Sequence, residues 1–71
     1  MMHFSPGEID RLERAIVEEA RVQLSRRGTE YVVIPRELRS EGGREILVAT
    51  TNTGDDLEFA LDEVERLEIL F

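Results

Sequence analysis

Seventy-one residues bound this chain to one small domain with a modest core, near the lower limit of what folds unaided. Cysteine is absent and the formal net charge is −7. Disulfides and thiolate metal sites are therefore excluded, and so is the long-range attraction that draws basic proteins to nucleic acid or to an anionic membrane.

Stability must come from packing or from a second copy of the chain. No apolar run approaches the ~20 residues of a membrane span. The start, MMHFSPGEID, has neither the basic residues nor the apolar stretch of a signal peptide. A cytoplasmic location is the expectation. Lysine is absent and every basic residue is Arg, which genome composition explains more simply than adaptation to salt.

Ser5-Pro6-Gly7-Glu8 is a helix entry. Ser5 can cap, Pro6 suits the first helical position, and Glu8 stands where a capping box needs an acid. The pattern predicts a helix over about 6–27, with Arg26 and Arg27 in the last turn and Gly28 as its stop. Ile9, Leu12, Ile16, Val17, Ala20 and Leu24 then share one face, a candidate core or interface stripe. Glu13 interrupts the stripe, and reaching solvent at its edge is the simpler reading. Val22 lies off it.

The remainder, about 29–71, reads as β-rich. TEYVVIPREL, from Thr29 to Leu38, carries the β-branched and aromatic residues of a strand, and it is apolar on both faces at its start, as in a strand covered on both sides. Pro35 marks an edge or a bulge, because proline cannot donate to a ladder. Gly42-Gly43 is a hairpin turn, REILVATT (44–51) a second strand, and Asn52-Thr53-Gly54-Asp55 a second turn. The tail, DDLEFALDEVERLEILF, fits two patterns. As a helix it aligns Leu57, Ala60, Leu61, Val64, Leu67 and Phe71; as two short strands it alternates Leu57, Phe59, Leu61 and then Leu67, Ile69, Phe71.

Gly43-Arg44-Glu45-Ile46-Leu47-Val48-Ala49, Gly54, and Phe59-Ala60-Leu61-Asp62-Glu63-Val64 together resemble the C-terminal part of the WYL domain. Pro35 falls where that family has a proline-containing strand. The resemblance covers about half of the chain and implies an Sm/SH3-like β-barrel, with a β-structured tail. It also implies a regulatory module that senses nucleotides or nucleic acids. At the positions suited to ligand contact the residues differ. Glu45 and Ile46 stand at the Trp and Tyr of the family's triplet, and Ala60 and Glu63 at two arginine positions. Arginine and aromatic side chains are what pair with phosphate and stack on bases.

Chemistry has few candidates. His3 is the only histidine and sits at the N-terminus, too little for a nucleophile–base set in a chain without Cys. Asp55-Asp56 suits a turn or a cap better than a calcium loop. The Thr50-Thr51-Asn52-Thr53 run is polar enough for a binding loop, but a strand entering a turn explains it. Arg36, Arg39 and Arg44 flank the first hairpin and are the candidate anion or nucleic-acid contact, against the simpler reading of charge that protects a strand edge.

The reading is an α+β domain: an N-terminal helix followed by a small antiparallel β-meander or partly open SH3- or Sm-like barrel. The alternative is α-β-β-α with a C-terminal helix. Functionally it is a non-enzymatic protein-interaction or structural module with no cofactor and no metal. It self-associates or docks on a larger protein, with no membrane partner. The alternative is a minimal WYL-like module that binds a nucleotide or nucleic acid.

Overall fold

A computed structural model describes residues 4–71; His3 lies outside the described residues. Helix α1 spans Pro6–Glu18. Its start is the expected capping box: the Glu8 N–H donates to Ser5 Oγ at 3.3 Å, and the Ser5 N–H donates to Glu8 Oε1 at 3.1 Å.

The helix does not reach Arg27. Glu19 turns into the left-handed region (φ 56°, ψ 35°), and the Ala20 N–H donates to the Ala15 carbonyl at 2.9 Å. Residues Arg21–Arg26 form strand β1 instead. The reason is tertiary. In RVQLSR, Val22 and Leu24 are buried while Arg21 is exposed and Gln23 and Ser25 are half-buried, the alternation of a strand with one face on the core. Pairing on both sides, with β2 and β5, outweighs the chain's helical propensity here. Gly28 is correspondingly not a helix stop. Arg27 and Gly28 both have positive φ (53° and 76°) and form the two-residue turn of a hairpin.

Strand β2 runs from Thr29 to Glu41 and serves two partners. Thr29–Val33 pairs with β1, and Ile34–Glu41 pairs with β3 (Arg44–Thr50). The register shifts between Pro35 and Glu37, so Pro35 marks a bulge in a central strand, with its side chain buried. Gly42 and Gly43 make the next turn, again with both φ values positive (57° and 78°).

The tail is β-structured. Strand β4 (Asp56–Ala60), a 3₁₀ turn (Leu61–Glu63) and strand β5 (Val64–Leu70) follow one another. The C-terminal helix of the alternative topology is thereby overturned. Phe59, Leu61 and Val64 are all buried; a helical tail would have left Phe59 off its apolar stripe.

The sheet is antiparallel with strand order β4-β3-β2-β1-β5. It curves into a small, partly open barrel, with β4 and β5 as its two edges. Leu12 and Ala15 of α1 join Val22, Leu24, Val33, Leu47, Ala49, Phe59, Leu61 and Val64 in one core. The helix packs chiefly against β2. Of the expected helical face, Leu12 is buried and Ile9 and Ile16 are half-buried. Val17 is exposed, Ala20 follows the helix, and Leu24 reaches the core from β1. The six residues thus do not form one face. Glu13 is exposed, as its place at the stripe edge suggested.

Candidate functional site

The three arginines flanking the first hairpin are each held by a carboxylate. Arg36 lies 3.4 Å from Glu19, and its Nε donates to Thr50 Oγ1 at 3.1 Å. Arg39 bridges Glu41 (3.0 Å) and Glu58 (2.8 Å). Arg44 grips Asp62 with two hydrogen bonds of 2.9 and 2.7 Å and reaches Glu63 at 3.5 Å. Each side chain carries its own acidic partner, so the three do not pool into a basic patch. The hydrogen bond from Arg44 holds the Asp62 carboxyl below the usual carboxylate range, and Asp62 in turn raises the Arg44 guanidinium. Glu58 raises Arg39 in the same way. These pairs are exposed, so they neutralise charge more than they stabilise the fold.

Arg44 opens β3, and Asp62 lies in the 3₁₀ turn after β4. Here they form a clasp between the start of β3 and the turn that leads into β5. Arg27, in the β1–β2 turn, approaches Glu63 from the other side at 3.6 Å, and the Gly28 N–H donates to Glu65 Oε1 at 3.2 Å. The corner between β4 and β5 is therefore tied to both hairpin turns.

The candidate binding loop folds on itself. Thr51 Oγ1 accepts the Asp55 N–H at 3.1 Å, the Thr51 N–H donates to the Asp55 carbonyl at 2.8 Å, and Thr53 Oγ1 donates to the Asp55 carboxylate at 3.1 Å. This satisfies a tight turn around Gly54 (φ 90°). Beside it lies an open cleft of about 420 Å³, lined by Arg21, Val32, Ile34, Arg36, Thr51 and Asn52 among others. Arg36 and the threonine loop thus share a surface, and Arg21 joins them from β1. Among the described residues, Arg21 has no ion-pair partner.

Arg26 is the residue that reading β1 as helix concealed. Its guanidinium lies 4.7 Å from the Phe59 ring centroid and 5.5 Å from that of Tyr31, and its Nη1 donates to the Glu58 carbonyl at 3.1 Å. Tyr31 and Phe59 meet edge to face at 5.1 Å. A side chain from β1 therefore reaches across to β4 and takes up a carbonyl of that strand, which is an edge of the sheet among the described residues.

The β5 edge is different. Arg66 and Glu68 are exposed, and among the described residues neither has an ion-pair partner. Leu67 and Ile69, between and beyond them, are half-buried against the core. The strand ends in Leu70 and Phe71, which are 43% and 61% exposed. Phe71 rests beside Arg14 of the helix at 5.2 Å.

No helix among the described residues is long and apolar enough to cross a membrane. No protein-family model matches the chain, and no curated protein or solved structure matches it either.

Proposed function

We propose that this protein is a non-enzymatic interaction module that associates through an open sheet edge, with itself or with a larger protein. The observation that carries the reading is β5. It is an edge strand whose outer-face charges have no ion-pair partner among the described residues, with two exposed apolar residues at its end. Natural sheets blunt or cover such edges, because a row of unpaired backbone groups is a template for another strand. A small core adds a reason to associate, since burial against a second surface supplements what 71 residues can bury alone. Size-exclusion chromatography with light scattering over a wide concentration range tests self-association. The expected result is a mass above the monomer that falls on dilution; a monomer at every concentration removes the homo-oligomeric form of the proposal.

A second reading has one observation in its favour. The cleft beside the Thr51–Asp55 turn brings Arg21 and Arg36 together with Thr51 and Asn52, a set able to receive a phosphate-bearing ligand of the kind the WYL resemblance implies. Against it stand Glu19, which already holds Arg36, and the carboxylates on Arg39 and Arg44. Under this reading, a nucleotide or single-stranded nucleic acid at low salt shifts the amide resonances of Arg21, Arg36 and Thr51. An Sm- or SH3-like relationship belongs to the same proposal.

A further inference from the structure

The charges on β5 are complementary to β5 itself. In the run Glu65-Arg66-Leu67-Glu68-Ile69, an Arg and a Glu stand symmetrically about Leu67. Arg66 and Glu68 point to the exposed side, and Leu67 lies half-buried on the other. In an antiparallel pair, residues directly opposite each other face the same side of the sheet, and the ladder has a local two-fold axis at each such pair. A two-fold axis through Leu67 places Arg66 opposite Glu68 of the second copy and Glu68 opposite its Arg66. Leu67 then meets its own counterpart. Moving the register by one step of the pleat in either direction places Arg66 opposite Arg66 or Glu68 opposite Glu68. The same face of the strand therefore attracts in one register and repels in those on either side of it.

From this we infer that the protein forms a two-fold homodimer in which β5 pairs antiparallel with β5 of a second copy, centred on Leu67. The inference rests on the proposed self-association and names its surface. Three features of the molecule favour a second copy as the occupant. The edge is free among the described residues, where β5 pairs only with β1. Arg66 and Glu68 have no partner among the described residues, although most arginines of the chain do. Leu70 and Phe71 extend the strand so that, across the axis, they lie over the start of the second copy's β5. The ladder is short. The register of β5 against β1 shifts between Ser25 and Arg26, which leaves Glu65 as the extra residue and ends the regular pairing there. Recognition therefore concentrates on Arg66, Leu67 and Glu68.

The β4 edge does not compete in this way. Its exposed side chains Asp56 and Glu58 are both acidic, so a β4–β4 pair brings like charges together. The Glu58 carbonyl is already taken by Arg26.

The test is a charge swap read by sedimentation equilibrium or light scattering. Arg66→Glu sets Glu opposite Glu twice per dimer, and Glu68→Arg sets Arg opposite Arg twice. Each is expected to weaken dimerisation about tenfold, as two cross-strand attractions become repulsions. The double variant R66E/E68R restores opposite charges and is expected to recover wild-type affinity. Glu68→Arg is the telling single change. It lowers the net charge from −7 to −5 (one acid lost and one base gained), so general repulsion between acidic chains predicts tighter association, whereas the register predicts weaker. Leu67→Cys supplies a geometric readout in a chain that has no other cysteine. Its sulfurs face each other across the axis at a backbone separation of ~4.5–5.5 Å, within disulfide range, and mild oxidation is expected to give a covalent dimer. A protein that is monomeric throughout overturns both this inference and self-association. A dimer whose affinity ignores both single reversals, or that fails to recover in the double variant, overturns the inference and leaves self-association standing through another surface.

Discussion

The two edges of one sheet are treated in opposite ways. At β4, Arg26 crosses the barrel mouth to a backbone carbonyl, and Arg39 clasps the Glu58 side chain. The ring of Phe59 beneath is fully buried. At β5 no side chain from elsewhere in the described chain takes up Arg66 or Glu68, and apolar residues at the strand's end stay exposed. Both edges carry the same kind of hazard, a row of unpaired backbone groups. Only one has been closed by side chains. An edge left bare beside a guarded one is where the association proposed above would extend the sheet.

The largest effect is expected where the guarded edge meets the core. Phe59 is fully buried and lies under both Tyr31 and Arg26. Phe59→Ala is expected to cost about 3–5 kcal/mol, a large share of the roughly 5–15 kcal/mol that holds a typical domain. Denaturant unfolding followed by circular dichroism measures it. The corresponding change on the bare edge, Glu68→Arg, alters a side chain exposed in the monomer, and at a concentration low enough to keep the chain monomeric it is expected to stay within about 0.5 kcal/mol of wild type. Comparable losses at the two positions would erase the distinction between a structural edge and an associative one.

A smaller effect probes the guard itself. Arg26→Met keeps much of the aliphatic stem and removes both the cation over the rings and the donor to Glu58. The expected cost is about 1–2 kcal/mol, the sum of a cation–π contact and a hydrogen bond. Its signature is in the edge: amide exchange along β4 speeds up. If R26M unfolds at the same denaturant concentration as wild type, Arg26 is an ornament of the rings rather than a closure.

Much of the local structure was legible in the chain, the contrast between the edges was not, and the failures have specific causes. The capping box, the bulge at Pro35 and the turns at Gly42-Gly43 and Gly54 follow from local chemistry that no tertiary contact contradicts. Strand β1 was hidden because Gly28 suits two roles. A glycine with positive φ ends a helix as readily as it completes a two-residue hairpin turn, and the Arg27 before it is not one of the residues that usually announce such a turn. The alternation of Val22 and Leu24 with polar neighbours was the available signal. The true helix end, at Glu19, carries no glycine at all. Arg36, Arg39 and Arg44 were visible as a group by sequence proximity, but their carboxylate partners Glu19, Glu58 and Asp62 are distant in sequence, and pairing of that kind emerges only from the fold. Arg26 and the edge strand β5 became meaningful once the strand order was known, since an edge is a property of topology.

The smallest effect concerns the corner that joins the two edges. Arg44 and Asp62 close it, and Arg44 holds the Asp62 carboxyl below the ordinary carboxylate range. In the unfolded chain that partner is gone, so Asp62 takes up its proton at the usual Asp value of about 3.9. Above that pH the ion pair contributes its full stabilisation. As pH falls below about 4 the unfolded chain binds the proton first, and the contribution is lost as pH passes down through the lower, folded value. Asp62→Asn has nothing to lose in this window. The melting temperatures of wild type and D62N are therefore expected to differ at neutral pH and to converge as pH falls below about 4. A gap that persists to the lowest pH would assign Asp62 a steric or backbone role in the turn. A gap that closes would show that charge pairing with Arg44 sets the corner from which the bare β5 strand departs.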